Sequence, residues 1–148
     1  MKCPTILLIW LMTLSTNAKA MEEKPIDLDD LRWKHRVILV SSHEPDTSIA
    51  LANLNEFAAE IEERDIVWFV LSDDALHTNY KGKLNHTLRE QIIDRYFTTV
   101  LNETSVLLIG KDGGLKSHSS DLNLEATFGL IDQMPMRREE IRRKSGEG

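Results

Sequence analysis

The chain has 148 residues and a formal net charge of −6, from 24 acidic and 18 basic side chains. That length suits one ordinary domain, and the acidic balance argues against nucleic acid and anionic lipid as main partners, because both repel a negative surface. The one cysteine is Cys3, so no intrachain disulfide can form, and a thiol nucleophile is excluded wherever Cys3 is removed.

Residues 1–20 read as a secretory signal peptide. Lys2 supplies the positive start, Ile6 to Leu14 the apolar centre, and Ala18-Lys19-Ala20 a small-x-small cleavage site. Cleavage is expected between Ala20 and Met21, which places residues 21–148 in the periplasm or outside the cell. It also takes Cys3 away, and with Lys2 and Lys19 gone the mature chain is two charges more negative. The apolar stretch falls short of the roughly 20 residues a spanning helix needs, so no stable membrane insertion is expected.

Glu22 to Asp30 is an acidic lead-in. Leu28 and Leu31 fit one short helical turn, with Trp33 expected to cover a sheet edge. Arg36 to Val40 is the first core strand, apolar at its centre. After a loop over Ser41 to Pro45, Asp46 reads as the N-cap of a helix carrying Leu51, Leu54, Ala58 and Ile61. That helix is expected to end near Arg64. Ile66 to Leu71 is the second core strand. Ser72 to Asn85 reads as one long polar loop. Thr87-Leu88-Arg89-Glu90 has capping-box form and opens a helix running to about Val100. Val106 to Ile109 is a third strand, apolar throughout and therefore covered on both faces. Asp112-Gly113 predicts a type I′ turn, and Leu115 to His118 returns as an edge strand. Asn123 caps a helix carrying Leu124, Phe128 and Ile131. Pro135 disfavours α geometry at Met134 and breaks that helix; Met136 to Lys144 resumes as a charged helical tail.

The element order is β-α-β-α-β-β-α. Three doubly apolar strands call for helices on both faces of one sheet. The fold class is α/β: a thioredoxin-like three-layer sandwich on a mixed four-stranded sheet, forming one domain with its core over about residues 28–141.

Two segments carry a family resemblance. Leu31-Arg32-Trp33-Lys34-His35-Arg36-Val37 resembles the opening of the domain-of-unknown-function family 4174. Leu108-Ile109-Gly110-Lys111-Asp112-Gly113-Gly114-Leu115-Lys116 and Ile131-Asp132-Gln133-Met134-Pro135-Met136-Arg137-Arg138-Glu139 resemble its closing half. The resemblance implies a thioredoxin-like, peroxiredoxin-related domain with sheet order 4-3-1-2, found in exported bacterial proteins. It is also found in vertebrate matrix proteins such as coiled-coil-domain-containing protein eighty and the sushi-repeat-containing proteins. It implies no established reaction. Within it, Trp33, Arg36, Gly110, Asp112, Gly113, Gly114, Asp132, Met134, Pro135, Met136 and Arg137 are expected to be structural.

Redox members of that fold hold a reactive cysteine where the first strand meets the first helix, because the helix N-terminus stabilises a thiolate. Here the stretch is Ser41-Ser42-His43-Glu44-Pro45-Asp46-Thr47, and none of these residues can form one. A proline preceding the third strand is also missing from Asn102-Glu103-Thr104-Ser105. The polar residues at the strand ends form a candidate cluster: His43, Glu44 and Asp46 beyond the first strand, Asp73, Asp74 and His77 beyond the second. Loops at the carboxyl ends of neighbouring parallel strands share a crevice, where imidazoles and carboxylates can bind Zn²⁺ or Mn²⁺ or act as an acid–base pair. The spacing matches no ligand motif, and an N-cap with surface histidines explains it as well. Ser42 and His43 point to opposite faces of an extended chain and do not make a nucleophile–base pair. Met134 and Met136 fill core gaps more often than they cradle ligands. Glu139 and Glu140 lie at helical spacing before the basic residues of the tail, which therefore pairs with itself. Tyr80, Lys81 and Lys83 form the partner-contact patch. Asn85 and Asn102 fit the N-glycosylation pattern.

The reading is an exported, non-catalytic binding or scaffold module without thiol chemistry, with a protein partner in that compartment and no cofactor. Two alternatives stay open: a peroxiredoxin-related enzyme using a metal or the acid–base residues above, and a matrix or adhesion component.

Overall fold

The computed structural model describes residues 24–97 and 103–146. Its centre is β1 (Arg36–Ser41), six residues buried without exception. β1 runs parallel to β2 (Ile66–Leu71) with Val37 opposite Val67 and Leu39 opposite Phe69. On its other side it is antiparallel to β4 (Ser105–Ile109), with Val37 opposite Ile109 and Leu39 opposite Leu107. Two short strands close the edges, β3 (Leu76–Thr78) on β2 and β5 (Leu115–Ser119) on β4, both antiparallel. The order across the sheet is β3-β2-β1-β4-β5.

The alternation of side chains along each strand divides the interior into two cores. Ile38, Val40, Trp68, Val70, Val106 and Leu108 face α1 (Asp46–Glu56), α2 (Ala58–Glu63) and α4 (Leu124–Asp132), meeting Leu54, Ile61, Phe128 and Ile131. Val37, Leu39, Val67, Phe69, Leu71, Leu107 and Ile109 face Leu31 of the short 3₁₀ turn Leu28–Leu31 and Leu88 and Ile92 of α3 (Leu88–Tyr96). Burial of each such aliphatic side chain stabilises by roughly 1.5–3 kcal/mol. The architecture is a thioredoxin-like α/β sandwich.

The structure departs from the sequence expectations at several places. The sheet has five strands: the expected loop from Ser72 to Asn85 contains β3, three half-buried residues with no apolar run to announce them. The first helix is broken at Phe57, whose ring meets Phe128 edge-on with centroids 5.9 Å apart. Asp46 is the first helical residue and Pro45 holds the N-cap position. The capping box at Thr87 does not form; the Thr87 hydroxyl donates to Asn85 Oδ1 and accepts from Gln91 Nε2. The expected extension of this helix over residues 98–100 lies outside the described residues.

The β4–β5 turn is not type I′, since only Gly113, at φ 81°, has positive φ. Gly113 N–H donates to Gly110 C=O and Gly110 N–H to Gly114 C=O, each at 2.9 Å. The result is a three-residue loop ending in a left-handed glycine, and one pair further along a separate register shift between Leu108 and Ile109 skips Lys116 of β5. Asp112 fastens it by accepting from Gly114 N–H at 3.0 Å and Lys116 Nζ at 2.7 Å. Trp33 does not cover a sheet edge: it is 64% exposed with φ 65°, and its N–H donates to Lys111 C=O.

Asn123 does cap α4, accepting from Ala126 N–H. Met134 is extended, and Pro135 starts α5 (Pro135–Lys144) at its first position, where its missing N–H costs no hydrogen bond.

Candidate functional site

At the carboxyl end of β1 the chain turns into α1 with Ser42 and Thr47 both buried, and their hydroxyls hydrogen-bond each other at 3.0 Å. This is where a redox member of the fold holds its thiol. Around it the predicted polar residues pair off locally. His43 Nδ1 meets Asp73 Oδ1. Glu44 accepts from Ser48 Oγ at 2.8 Å and Asp46 from Thr104 Oγ1 at 2.7 Å. Arg89 of α3 pins the second loop through the carbonyls of Ser72 and Asp73. Asp74 is exposed, and His77 sits on β3 opposite Val70. The structure thus pairs His43 with Asp73 and sets His43, Glu44 and Asp46 around one hollow with Glu103 and Thr104, while Asp74 and His77 lie outside its lining. Among the described residues, no group of three or more His, Cys, Asp or Glu side chains could hold a metal ion.

The more concave feature lies at the opposite end of the parallel pair. β3 pairs only with Phe69–Leu71, which leaves the outer edge of Ile66–Trp68 without a strand. The Asn79 carboxamide continues the ladder there, accepting from Trp68 N–H at 2.9 Å and donating to Ile66 C=O at 3.1 Å. A cleft of about 400 Å³ runs along this half-edge. Leu54, Ala58, Ile61 and Trp68 give it apolar walls, with Asn55 and Glu62 from the helices and Tyr80 and Lys81 from the β3 exit among its polar groups. Gly82 makes room for the Tyr80 ring, since a Cβ there would come within 2.6 Å of it. Burial pushes the His35 imidazole below its ordinary pKa, against a partial pull upward from Asp65, so His35 faces the cleft neutral at neutral pH. Lys83 lies outside these lining residues; its carbonyl accepts from Ile26 N–H. Asn85 accepts from Thr87 through its side chain, and Asn102 lies outside the described residues.

Below the cleft an ion cluster fixes α5. Arg36 and Arg137 are each only 1% exposed. Arg36 donates to Glu140 through both terminal nitrogens at 3.2 Å and to Arg64 C=O at 2.8 Å. Lys111 Nζ bridges Asp65 at 2.8 Å and Glu140 at 2.7 Å. Arg137 bonds Asp132 at 3.1 Å and Glu63 at 2.6 Å, and Arg64 grips Asp132 with two bonds. Four cations face four carboxylates. Burial works against Asp65, Asp132 and Glu140, but hydrogen bonds and charges from Lys111, Arg36, Arg64 and Arg137 outweigh it and hold all three below the ordinary carboxylate range. Met134 packs on the core while Met136 is exposed, so the two do not form a shared cradle.

The motif residues at both ends of this cluster, Arg36 and the Asp132–Arg137 segment, fall within a family match. The model of the domain of unknown function DUF4174 matches residues 27–140. The chain belongs to this family. No curated protein and no solved structure matches the DUF4174 chain. Among its described residues no helix is long and apolar enough to cross a membrane.

Sequence reasoning missed most of the ion cluster, the Asn79 bridge, and a hydrogen bond at 2.8 Å between Ser105 Oγ and His118 Nε2 across β4–β5. A usable signal for the first was Arg36, a charge heading a wholly apolar strand, which is rarely buried unpaired.

Proposed function

We propose that this DUF4174 chain is an exported binding module, without thiol redox chemistry, whose recognition site is the cleft beside the open half of β2. The observation that carries this reading is the hydroxyl pair at the mouth of α1. A thiolate needs an accessible, electropositive position at a helix N-terminus; here Ser42 and Thr47 occupy that position, buried and satisfied by each other. The cleft supports the binding half. Its volume falls within the range of ligand sites, and it combines an apolar floor with a few convergent polar groups. Tyr80 and Lys81, an aromatic and a flexible cation, suit a protein partner.

A photo-cross-linking residue placed at position 81 tests the site, with position 90 on α3, also exposed, as the control. In the exported fraction, adducts from position 81 that are absent from position 90 are expected. Equal labelling from both positions would overturn the assignment of the cleft.

The His43–Asp73 contact favours a second reading, acid–base catalysis by a histidine oriented by a carboxylate. That reading requires a turnover that His43→Ala abolishes.

A further inference from the structure

We propose that Trp33, flanked by Arg32 and Lys34, none of which lines the cleft, is a docking point for an acidic segment of a protein partner. The first observation is conformational. Trp33 sits at φ 65°, in a region that bulky side chains enter only at a cost. Such outliers persist when the surroundings over-determine them, and they cluster at ligand clamps. The surroundings here are explicit. Trp33 N–H donates to Lys111 C=O at 2.6 Å, and Lys34 N–H to Leu31 C=O at 3.1 Å. The Arg32 guanidinium donates to Asp112 C=O at 3.0 Å and lies against Gly113, where a Cβ would come within 2.7 Å of it. The hairpin therefore holds the turn.

The second observation is exposure. The strained turn does not bury the indole but leaves Trp33 64% exposed, whereas Trp68 is 6% exposed in the core. The hairpin's hydrogen bonds hold the backbone of the turn, and burial of the indole contributes nothing to it. Exposed tryptophan beside arginine is the composition from which interface anchors are drawn.

The third observation is charge, and it selects the partner. Arg32, Trp33 and Lys34 are all exposed. Arg32 donates to a carbonyl, and among the described residues neither Arg32 nor Lys34 enters an ion pair. Lys111, Lys116, Arg64 and Arg137, by contrast, all meet carboxylates. Two cations outside any ion pair among the described residues, on either side of an indole, on a chain of net charge −6, complement a carboxylate-rich segment with an apolar residue to lie on the ring. An anionic membrane would be repelled by the rest of the chain.

The test uses the full chain and follows the indole Nε1–H resonance of Trp33, assigned as the one lost in Trp33→Asn. The probe is a short synthetic peptide of Asp, Glu and Leu; the controls are the same peptide with Lys for its acids, and phosphatidylglycerol vesicles. A saturable shift with the acidic peptide alone is expected, weakened about tenfold in Arg32→Ser/Lys34→Ser and weakened again by added salt. Asparagine tolerates the left-handed region, so Trp33→Asn should lose binding while its thermal midpoint stays level or rises. No shift with the acidic peptide, an equal shift with the basic peptide or the vesicles, or a lowered midpoint for Trp33→Asn would overturn the proposal. The last result would mean that Trp33 is a structural residue.

Discussion

Replacing Glu140 by glutamine preserves the size of the side chain and removes one charge from the middle of the ion cluster. Glu140 is the shared acceptor of Arg36 and Lys111, whose side chains are 1% and 9% exposed. After the change Arg36 retains the Arg64 carbonyl and Lys111 retains Asp65, but three nearly buried cations, Arg36, Lys111 and, at 3.8 Å, Arg137, lose a common counter-charge. Removing one partner of a buried pair costs about 3–5 kcal/mol, because the remaining charge cannot return to water. Glu140 itself keeps 21% of its side chain in solvent, which argues for the lower end, about 3 kcal/mol. For a domain of this size that corresponds to a fall in Tm of roughly 10–15 °C. Urea unfolding followed by far-ultraviolet dichroism, with the slope held to the wild-type value, measures it directly. Adding Lys111→Met should recover part of the loss, since one of the stranded charges goes with it. A loss below about 1 kcal/mol for Glu140→Gln, the size of an exposed pair, would refute the claim that this cluster is screened from water.

The same cluster sets an acid limit. Asp65, Asp132 and Glu140 have folded pKa values below the ordinary 3.8 and 4.5, so the unfolded chain binds more protons as pH falls. Their stabilisation is complete above those ordinary values and drains away as pH drops through the lower folded ones; a series of urea midpoints from about pH 7 to about pH 3 should show a plateau, then a decline. Asn79→Ala strands Trp68 N–H and Ile66 C=O at the open half-edge; a loss of about 1 kcal/mol, with faster hydrogen exchange at the Trp68 amide, is expected. Gly113→Ala places a Cβ at φ 81° and against Arg32 Nε, for an expected loss of about 1–2 kcal/mol in the same unfolding assay.

The parts of the fold governed by local chemistry were legible in the sequence. β1, β2 and β4 show as apolar runs because each is covered on both faces. The Asn123 cap and the Pro135 break show because capping and the missing N–H act within a turn. What stayed hidden depends on residues far apart in the chain. Arg36 and Glu140 are 104 positions apart, and Arg64 and Asp132 are 68; no periodicity records such a pairing. β3 is three residues long and half-buried, so it has neither an apolar run nor an alternation to read. Trp33 was misplaced for a similar reason: its left-handed turn is imposed by the carbonyl of Lys111 in a distant hairpin. Of the candidate site, the residue types at the mouth of α1 were readable, and the exclusion of a thiol there followed from them. The cleft was not, because its shape depends on β3 stopping at Thr78 and on the Asn79 side chain taking over the edge.

The central claim is that a thioredoxin-like fold here binds without thiol chemistry. Hydrogen peroxide consumption and insulin reduction, measured with excess dithiothreitol on the protein recovered from the exported fraction, test it most directly. The expected result is a rate equal to the protein-free blank in both assays. A rate above the blank that scales with protein concentration, and that disappears when Cys3 is replaced by serine, would contradict the claim by showing that a retained thiol does the work.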